Sequence, residues 1–218
     1  MKNMKNVLIG ILVFVAMTNL VNATTCGDTI TSNTILTTDL TCLSGNGINI
    51  GADNIYLDCN GHTITGGSIF SHGVFINDKD SITVKNCVIR NFLGQGIVLM
   101  SSIGSTIKDN TIQNNLNGIA TAGVFKSEFT RNKLLTNSQR GILVGYSSVN
   151  TFWNNTFSGN GNSNAYEYFS NGNYWNLGTT GNTWSDYSGS GVYYVDGEGD
   201  GIDYYPKSTK LRQEFLKK

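Results

Sequence analysis

The sequence has little charge, almost no proline and no helical periodicity. Charged residues make up 14%, and the single proline, Pro206, lies late in the chain. Basic and acidic residues balance at 15 each, which argues against a nucleic-acid-binding patch. No segment repeats apolar residues at helical spacing over the length of a helix. With 26 glycines in 218 residues, the composition is typical of a turn-rich all-β protein and argues against a coiled coil or a disordered chain.

A repeat of 22 or 23 residues runs through the middle of the chain. One series of landmarks is a small or polar residue between two apolar ones, and the other is a glycine that precedes an apolar run. Two independent landmarks that share one period indicate a structural repeat. The first series is Cys87, Asn110, Asn132 and Asn155, and the second is Gly73, Gly96, Gly118 and Gly141, each at spacings of 23, 22 and 23.

The repeat unit predicts a solenoid of short strands. A unit of this length cannot bury its own apolar residues, so it must stack on its neighbours. The alternation in Ile82-Thr-Val84 has the period of a strand with one buried face. We predict an all-β, single-stranded, right-handed parallel β-helix with about 22–23 residues per coil and a cap at each end. A leucine-rich repeat is the alternative, but it needs a denser leucine pattern.

The asparagines of the repeat predict a hydrogen-bonded column. An amide both donates and accepts hydrogen bonds, and asparagine tolerates the backbone of tight turns. Stacked on successive coils, such side chains would bond to one another along the solenoid axis. The predicted Asn ladder consists of Asn110, Asn132, Asn155 and, at a spacing of 27, Asn182.

Residues 1–23 have the composition of a signal peptide. Lys2 and Lys5 precede an apolar run over 7–17, and Ala23 ends a small-residue cleavage site. The apolar run is too short for a comfortable membrane span, and an uncleaved anchor is the alternative. We therefore predict a protein that is secreted, periplasmic or presented at the cell surface, with no membrane span after cleavage.

The mature chain is expected to form one domain. We predict a β-helix domain over 24–206, including its caps, and a C-terminal tail over 207–218. Loss of the two signal-peptide lysines leaves 13 basic residues against 15 acidic ones, a formal net charge of −2. We expect a monomer that does not bind nucleic acid.

Export changes the interpretation of the four cysteines, because disulfides persist in an oxidising compartment. Cys26 and Cys42 enclose a short loop where the first coil must begin, so we predict a structural disulfide between them. By restricting the unfolded chain, such a bridge stabilises the folded state by roughly 3 kcal/mol. Cys59 and Cys87 lie 28 residues apart, about one coil, and are either stacked thiols or a second bridge.

Two groups of motifs resemble a known family. The opening pattern C-G-D-T-I-T…L-T-C followed by Y-L-D-C-N-G-H-T-I is similar to the N-terminal part of NosD-like and related right-handed β-helix repeat proteins. The closing patterns Gly181-Asn-Thr-Trp-Ser-Asp-Tyr187 and Asp196-Gly-Glu-Gly-Asp-Gly-Ile-Asp203 resemble the end of the same family. The resemblance implies an exported β-helix protein and raises a copper-accessory role.

An open solenoid end must be covered, because it exposes strand edges and the core. Large aromatic side chains near the C-terminus are suited to this purpose. We predict that they close the last coil as a plug. The four candidates are Trp175, Trp184, Tyr187 and Tyr204.

The acidic run near the C-terminus is the best candidate metal site. Alternate acidic residues separated by glycines resemble a calcium loop, but the twelfth position, where an EF-hand needs an acid, is Lys207. We predict a structural calcium ion in the C-terminal cap, and a solvated acidic turn is the alternative. The four predicted ligands are Asp196, Glu198, Asp200 and Asp203.

A copper site would have to use the metal ligands that the mature chain retains. Copper sites draw on His, Met and Cys. Three of the four methionines lie in the predicted signal peptide, which leaves Met100, His62 and His72 beside cysteines that we expect to be in disulfides. This set argues against a copper site.

Catalysis is a second alternative, because glycosidases use two carboxylates that face one cleft. Acidic residues are sparse on the predicted coils. Asp109 precedes the ladder residue Asn110 by one position, whereas Glu128 precedes Asn132 by four, so the two acids do not align as a pair. We therefore predict no catalytic residues, and the first hypothesis is a non-catalytic, exported β-helix that binds a polysaccharide or another cell-surface component. A small carbohydrate-active enzyme and a copper-accessory protein are the alternatives.

Overall fold

The computed structural model describes residues 24–67 and 71–209. The predicted signal peptide and the end of the predicted tail lie outside the described residues. The regular elements of the described residues are 26 strands. They are β1 (Thr29–Ile30), β2 (Thr34–Ile35), β3 (Leu40–Cys42), β4 (Ile48–Ile50), β5 (Tyr56–Asp58), β6 (Thr63–Gly66), β7 (Val74–Asn77), β8 (Thr83–Lys85), β9 (Val88–Arg90), β10 (Gln95–Met100), β11 (Thr106–Lys108), β12 (Thr111–Gln113), β13 (Asn117–Ala122), β14 (Glu128–Thr130), β15 (Lys133–Leu135), β16 (Arg140–Gly145), β17 (Thr151–Trp153), β18 (Thr156–Ser158), β19 (Ser163–Tyr168), β20 (Asn176–Leu177), β21 (Thr180–Gly181), β22 (Thr183–Trp184), β23 (Tyr193–Tyr194), β24 (Asp196–Gly197), β25 (Ile202–Asp203) and β26 (Lys207–Ser208).

Three parallel sheets form the sides of the solenoid. Sheet A has the order β1-β4-β7-β10-β13-β16-β19-β24, sheet B β2-β5-β8-β11-β14-β17, and sheet C β3-β6-β9-β12-β15-β18-β22-β26. Each coil contributes one strand to each sheet in turn until sheet B ends at β17, where the hairpin β20–β21 follows. The prediction of a parallel β-helix is confirmed. The alternative of a leucine-rich repeat is wrong, because each coil of the described residues returns through strands and not through a helical segment.

The core consists of columns of apolar side chains in register along the solenoid. In sheet A, Ile97 pairs with Ile119, Ile119 with Ile142 and Ile142 with Ala165. All four side chains are buried in the core cluster. Complete burial of one such isoleucine contributes about 1.5–3 kcal/mol, so the repeat period itself builds the stability of the fold.

The corner between sheets B and C is turned by one residue with a left-handed backbone. Asn86, Asp109, Arg131 and Asn154 have φ between 53° and 59° on successive coils. In each coil, this residue immediately precedes the column of Cys87, Asn110, Asn132 and Asn155. Asn and Asp tolerate this conformation better than other side chains, which explains why polar residues recur at the corner.

Two disulfides hold the first three coils together. Cys26 and Cys42 are bonded as predicted, and Cys59 is bonded to Cys87, which decides the alternative that the sequence left open. The backbone N–H of Cys87 also donates to Oδ1 of Asn110, at 3.0 Å. The column that carries amides in the later coils therefore begins with a disulfide.

Stacked aromatic rings fill the core of the last coils. Phe152 stacks on Trp175 with ring centroids 4.3 Å apart, and Phe157 stacks on Trp184 at 4.4 Å. Trp175, Trp184 and Tyr187 are buried, as expected of a plug, but Tyr204 is exposed and was predicted wrongly. Tyr193 covers Trp184 in its place, at 4.0 Å.

Candidate functional site

The predicted asparagine column runs along the corner between sheets B and C. Oδ1 of Asn132 accepts from the backbone N–H and the Nδ2 of Asn110, at 3.1 and 3.0 Å. Asn155 accepts in the same way from Asn132, and Asn182 from Asn155. The Nδ2 of Asn132 also donates to the backbone oxygen of Ile107, at 2.8 Å. Each amide thus satisfies buried backbone groups of the preceding coil, which is a structural role.

Two further ladders occupy the other corners, and we did not predict them. Their residues keep the same period of 22 or 23, so the signal was present in the sequence. At the corner between sheets C and A, each Oδ1 accepts from the backbone N–H one coil earlier. The corner between sheets A and B has the same pattern with hydroxyls and amides. The ladders are Asn115, Asn137 and Asn160, and Ser105, Ser127, Asn150 and Asn173.

Two ladders end on buried carboxylates. Oδ2 of Asp203 accepts from the backbone N–H of Asn182 at 2.7 Å, and Oε1 of Glu167 accepts from Nδ2 of Asn173 at 3.0 Å. Tryptophan Nε1 groups donate to the same two oxygens, Trp184 to Asp203 and Trp175 to Glu167, both at 2.9 Å. Burial raises the pKa of both carboxyls above the ordinary range.

The acidic run does not gather into one cluster. The carboxylate of Asp203 is buried at the end of the ladder, whereas Asp196, Glu198 and Asp200 are exposed. Oδ1 of Asp200 accepts from the backbone N–H of Gly172, at 3.2 Å. In the described residues, no group of three or more His, Cys, Asp or Glu side chains could hold a metal ion. Calcium at these four residues stays a prediction, which melting curves with calcium and with a chelator would test.

The candidate copper ligands have other contacts. His62 Nδ1 lies 3.0 Å from Oδ1 of Asp39. His72 Nδ1 accepts from the backbone N–H of Gln95 at 3.1 Å, and burial lowers the pKa of this histidine. All four cysteines are in disulfides. The residues present do not fit a copper site, because no thiolate is free and the histidines are engaged separately.

The two acids weighed for catalysis are also engaged. Arg131 donates to both carboxylate oxygens of Asp109, at 2.7 and 2.8 Å, and holds the pKa of that carboxyl below its ordinary value. Glu128 accepts from Nε1 of Trp153, at 2.6 Å. Both carboxylates are therefore engaged in contacts of their own, whereas glycosidases use two carboxylates that face one cleft.

The outer face of sheet A carries an apolar stripe. Phe75, Val98, Ala120, Leu143 and Tyr166 pair in register on successive coils. The residues before and after each of them are buried, so the alternation of the strands directs these five outward. The rings of Phe75 and Tyr166 form an aromatic wall at each end of the stripe, and Val98 and Ala120 between them are largely covered, at 9% and 8% exposed.

A column of polar residues runs beside the stripe. It contains three of the five buried side-chain polar atoms of the described residues that have no hydrogen-bond partner. These atoms are Oδ1 of Asn117, Nε of Arg140 and Oγ of Ser163. Buried polar groups are usually paired, so three unpaired atoms in one column are unusual. The polar column consists of Gln95, Asn117, Arg140 and Ser163, paired in register.

Contacts join the polar column to the apolar stripe. The guanidinium of Arg140 lies over the ring of Tyr166, 4.6 Å from its centroid. At the other end, His72 stacks on Phe75 with ring centroids 5.9 Å apart. Since Nδ1 of the neutral His72 ring accepts from Gln95, its proton is on Nε2, which is a donor. We call the stripe, the polar column and His72 together the sheet A face.

A second group of aromatic rings borders the sheet A face at the corner with sheet B. Tyr146 is 60% exposed and Phe169 is 66% exposed, and their rings stack at 5.2 Å. Tyr168 meets Tyr146 edge to face at 5.3 Å. Exposed rings that pack on one another in this way form an aromatic patch at this corner.

The fold and this surface define a three-sided parallel β-helix with a polar and aromatic outer face. The family model described as periplasmic copper-binding protein (NosD) matches residues 9–189. The chain therefore belongs to the NosD family. No curated protein matches the chain. The described residues contain no helix that is long and apolar enough to span a membrane.

Two solved structures are similar to this chain at low scores. The enzymatically active domain of bacteriophage CBA120 tailspike protein 2 is 12% identical with a TM-score of 0.48, over 80% of this chain and 27% of that one. A mutant of DFA-IIIase from Arthrobacter chlorophenolicus A6, in complex with DFA-III, is 10% identical with a TM-score of 0.28, over 89% of this chain and 61% of that one. At these scores, neither structure carries an argument about this chain.

Proposed function

We propose that the mature chain is an exported, non-catalytic, monomeric protein of the periplasm or cell surface that binds a glycan on the sheet A face. The observation that carries this proposal is the register of the unpaired buried atoms of Asn117, Arg140 and Ser163 beside the apolar stripe. In the structure these atoms are buried, so the proposal requires the three side chains to turn toward a ligand that both donates and accepts hydrogen bonds. Sugars have this chemistry at every hydroxyl.

The energy of the unpaired groups supports a polar ligand. A buried polar group without a partner costs about 1–3 kcal/mol, so a ligand that pairs Asn117, Arg140 and Ser163 recovers this cost. The apolar face of a sugar ring packs well on aromatic and aliphatic side chains, which the stripe provides in Phe75 and Tyr166.

The spacing of the coils supports an extended polymer. Neighbouring parallel strands lie about 4.8 Å apart, so equivalent side chains recur along the sheet A face at that distance. This repeat is close to the length of one pyranose unit. The stripe from Phe75 to Tyr166 crosses five coils and therefore places an apolar residue at the same position of each coil along several consecutive sugars.

The two alternatives have less support. A carbohydrate-active enzyme usually needs two carboxylates at the bound sugar, whereas the titratable groups on the sheet A face are His72, Arg140 and Tyr166, with the single carboxylate of Asp196 beyond its end. A copper-accessory role follows from the description of the family, but its metal ligands would have to come from His62, His72 and Met100. Their contacts in this chain do not favour it.

Binding to an array of neutral and acidic oligosaccharides tests the proposal. The chain is expressed with its own leader into an oxidising compartment, so that both disulfides form. We expect binding to chains of several sugars and a loss of at least about tenfold in affinity for Tyr166→Ala, because the stripe loses an aromatic wall. Tyr194→Ala is the matched control, since Tyr194 is 69% exposed and lies in β23, outside the sheet A face.

Two results would contradict the proposal. One is the absence of binding to any oligosaccharide by protein with both disulfides intact and a cooperative melting transition. The other is equal loss of affinity in Tyr166→Ala and Tyr194→Ala, which would place the glycan elsewhere. Release of a shortened product from a bound oligosaccharide would instead favour the enzyme.

A further inference from the structure

We propose that Arg140 forms a subsite for an anionic group of the glycan, either the carboxylate of a uronic acid or a sulfate ester. This inference rests on the proposed function, because it assigns the class of glycan that the sheet A face binds. It starts from the environment of one side chain, which differs from that of the other arginines in the repeat.

Arg140 is a partly buried cation without a counter-ion. Its Nε is buried and has no hydrogen-bond partner. None of the ion pairs formed among the described residues includes Arg140. Arg131 shows the ordinary arrangement, since its guanidinium is paired with both carboxylate oxygens of Asp109. A charged group that is withdrawn from water without a partner is costly, so the Arg140 site favours an added anion.

The aromatic neighbour of Arg140 prepares it for an anion. The ring of Tyr166, 4.6 Å from the guanidinium, attracts the cation and covers one side of it. The ring does not supply a lone pair to the N–H groups of the guanidinium fork. That fork matches the two oxygens of a carboxylate or a sulfate, and such charge-assisted hydrogen bonds are about twice as strong as neutral ones.

The neighbours in the polar column complete the subsite. Ser163 pairs with Arg140 in register one coil later, and its buried hydroxyl has no partner, so it can donate a second bond to the anion. Asn117 pairs with Arg140 one coil earlier and is 2% exposed, so its unpaired Oδ1 accepts from a hydroxyl of the adjacent sugar once the side chain turns outward. This order places the anionic group of the glycan between two positions that bind hydroxyl groups.

The stripe itself limits where the anion can bind. Beyond Tyr166, the next residue in register is Asp196, an exposed carboxylate. An anion placed at that end would meet like charge, whereas Arg140 lies on the side of Tyr166 away from it. The charges along the sheet A face therefore favour an acidic sugar at the coil of Arg140.

Matched pairs of ligands test the inference without any variant. The first pair is an oligouronide and its methyl-esterified, neutral form, and the second is a sulfated oligosaccharide and its desulfated form. Wild-type protein should bind the charged member of at least one pair about tenfold or more tightly, because hydrogen bonds to a charged group are stronger. The pair that shows the preference distinguishes a uronate from a sulfate.

Two substitutions assign the preference to the site. Arg140→Gln should remove the preference for the charged ligand, and Arg140→Lys should retain part of it, because lysine keeps the charge but loses the fork. Arg90→Gln is the matched control, since Arg90 lies on sheet C and donates to Thr65. Its preference should equal that of the wild type.

The outcomes separate the two proposals. Equal binding of charged and neutral ligands to the wild type would overturn the anionic subsite and leave glycan binding intact. A preference for the charged ligand that survives in Arg140→Gln would also overturn the anionic subsite, because another residue would then bind the anionic group. Absence of binding to all four ligands and to the neutral array would overturn both proposals.

Discussion

Asp203 occupies the position that one more asparagine of the ladder would take after Asn182. Its Oδ2 lies 2.7 Å from the backbone N of Asn182, and Oδ1 of Asn182 lies 3.0 Å from the backbone N of Asn155. A carboxylate can accept a hydrogen bond from the preceding coil but has no N–H to donate to a following one. The ladder therefore ends at Asp203, where the regular coils end.

We expect Asp203→Asn to lower the free energy of unfolding by about 1–3 kcal/mol at neutral pH. Oδ2 accepts from Asn182 and Trp184, and Oδ1 accepts from the backbone N–H of Tyr205. In either orientation, the amide NH2 of the variant would face a donor, which is the buried pair of Asn182 and Trp184 or the partly buried N–H of Tyr205. Urea unfolding measures the change, with the exposed Glu198→Gln as the control. Equal stability of the two variants would contradict this role of Asp203.

The interior of the ladder should be more sensitive than its surface equivalents. Asn132→Ala removes the acceptor for Asn110 and the donor for the backbone oxygen of Ile107. Because both groups stay buried without a partner, we expect a loss of about 3 kcal/mol or more. Asn162→Ala, at an exposed position of the same repeat, is the control and should change the stability by less than about 0.5 kcal/mol. A similar small effect in both variants would show that the ladder is dispensable.

The solenoid could be predicted because its period is visible in short segments of the sequence. Each coil repeats a turn residue and an apolar residue at nearly constant spacing, and strand pairing follows from that spacing. The second ladder, from Asn115 to Asn160, has the same spacing. We did not predict it, although two asparagines per coil recur in the sequence.

The sheet A face could not be predicted, because it depends on register. Arg140 and Tyr166 are far apart in the sequence and meet because β16 and β19 pair with one specific offset. A change of one residue in that offset would turn one of them toward the core. The burial of Asp203 has the same cause: its acidic, glycine-rich surroundings are typical of an exposed turn, and only the end of the ladder draws its side chain inward.

Copper should bind weakly if it binds at all. All four cysteines are oxidised, and His62 and His72 are engaged in separate contacts. We expect equilibrium dialysis against copper to give the same occupancy for wild type and for His62→Gln/His72→Gln. A stoichiometric copper ion that this double variant loses would contradict the prediction and restore the copper-accessory hypothesis.

The buried Glu167 should make the protein less stable as the pH rises. Burial raises the pKa of this carboxyl from its ordinary value of 4.5, and the charge of Asp200 acts in the same direction. The folded state therefore holds the proton more tightly than the unfolded chain. Its contribution to stability is complete below pH 4.5 and is lost as the pH rises through the raised pKa.

Glu167→Gln should remove this loss, because glutamine does not titrate and keeps the acceptor for Asn173 and Trp175. The stability of the variant relative to wild type should increase with pH, by up to about 1.4 kcal/mol per pH unit within the window. Urea unfolding at several pH values between acid and neutral measures it. Glu198→Gln, at an exposed position, controls for removal of a negative charge. A constant difference across the pH range would show that Glu167 keeps the same charge in both states.

The two disulfides should be reduced in order. Cys59 and Cys87 are both buried in the core, and so is Cys42, but Cys26 is only partly buried. Thiol–disulfide exchange requires access of the attacking thiolate to a sulfur atom. In native protein treated with a reducing agent, we therefore expect the Cys26–Cys42 bridge to open first.

Mass mapping of alkylated samples over time measures the order of reduction. By loop entropy, the Cys59–Cys87 bridge contributes about 3.5 kcal/mol, so Cys59→Ala/Cys87→Ala should unfold at markedly lower urea. In that variant, the bridge between Cys26 and Cys42 should open faster than in wild type, because the first coils separate more readily. Simultaneous reduction of both bridges in wild type would mean that the sulfurs become accessible only when the whole solenoid unfolds, and the N-terminal coils would then have no separate opening step.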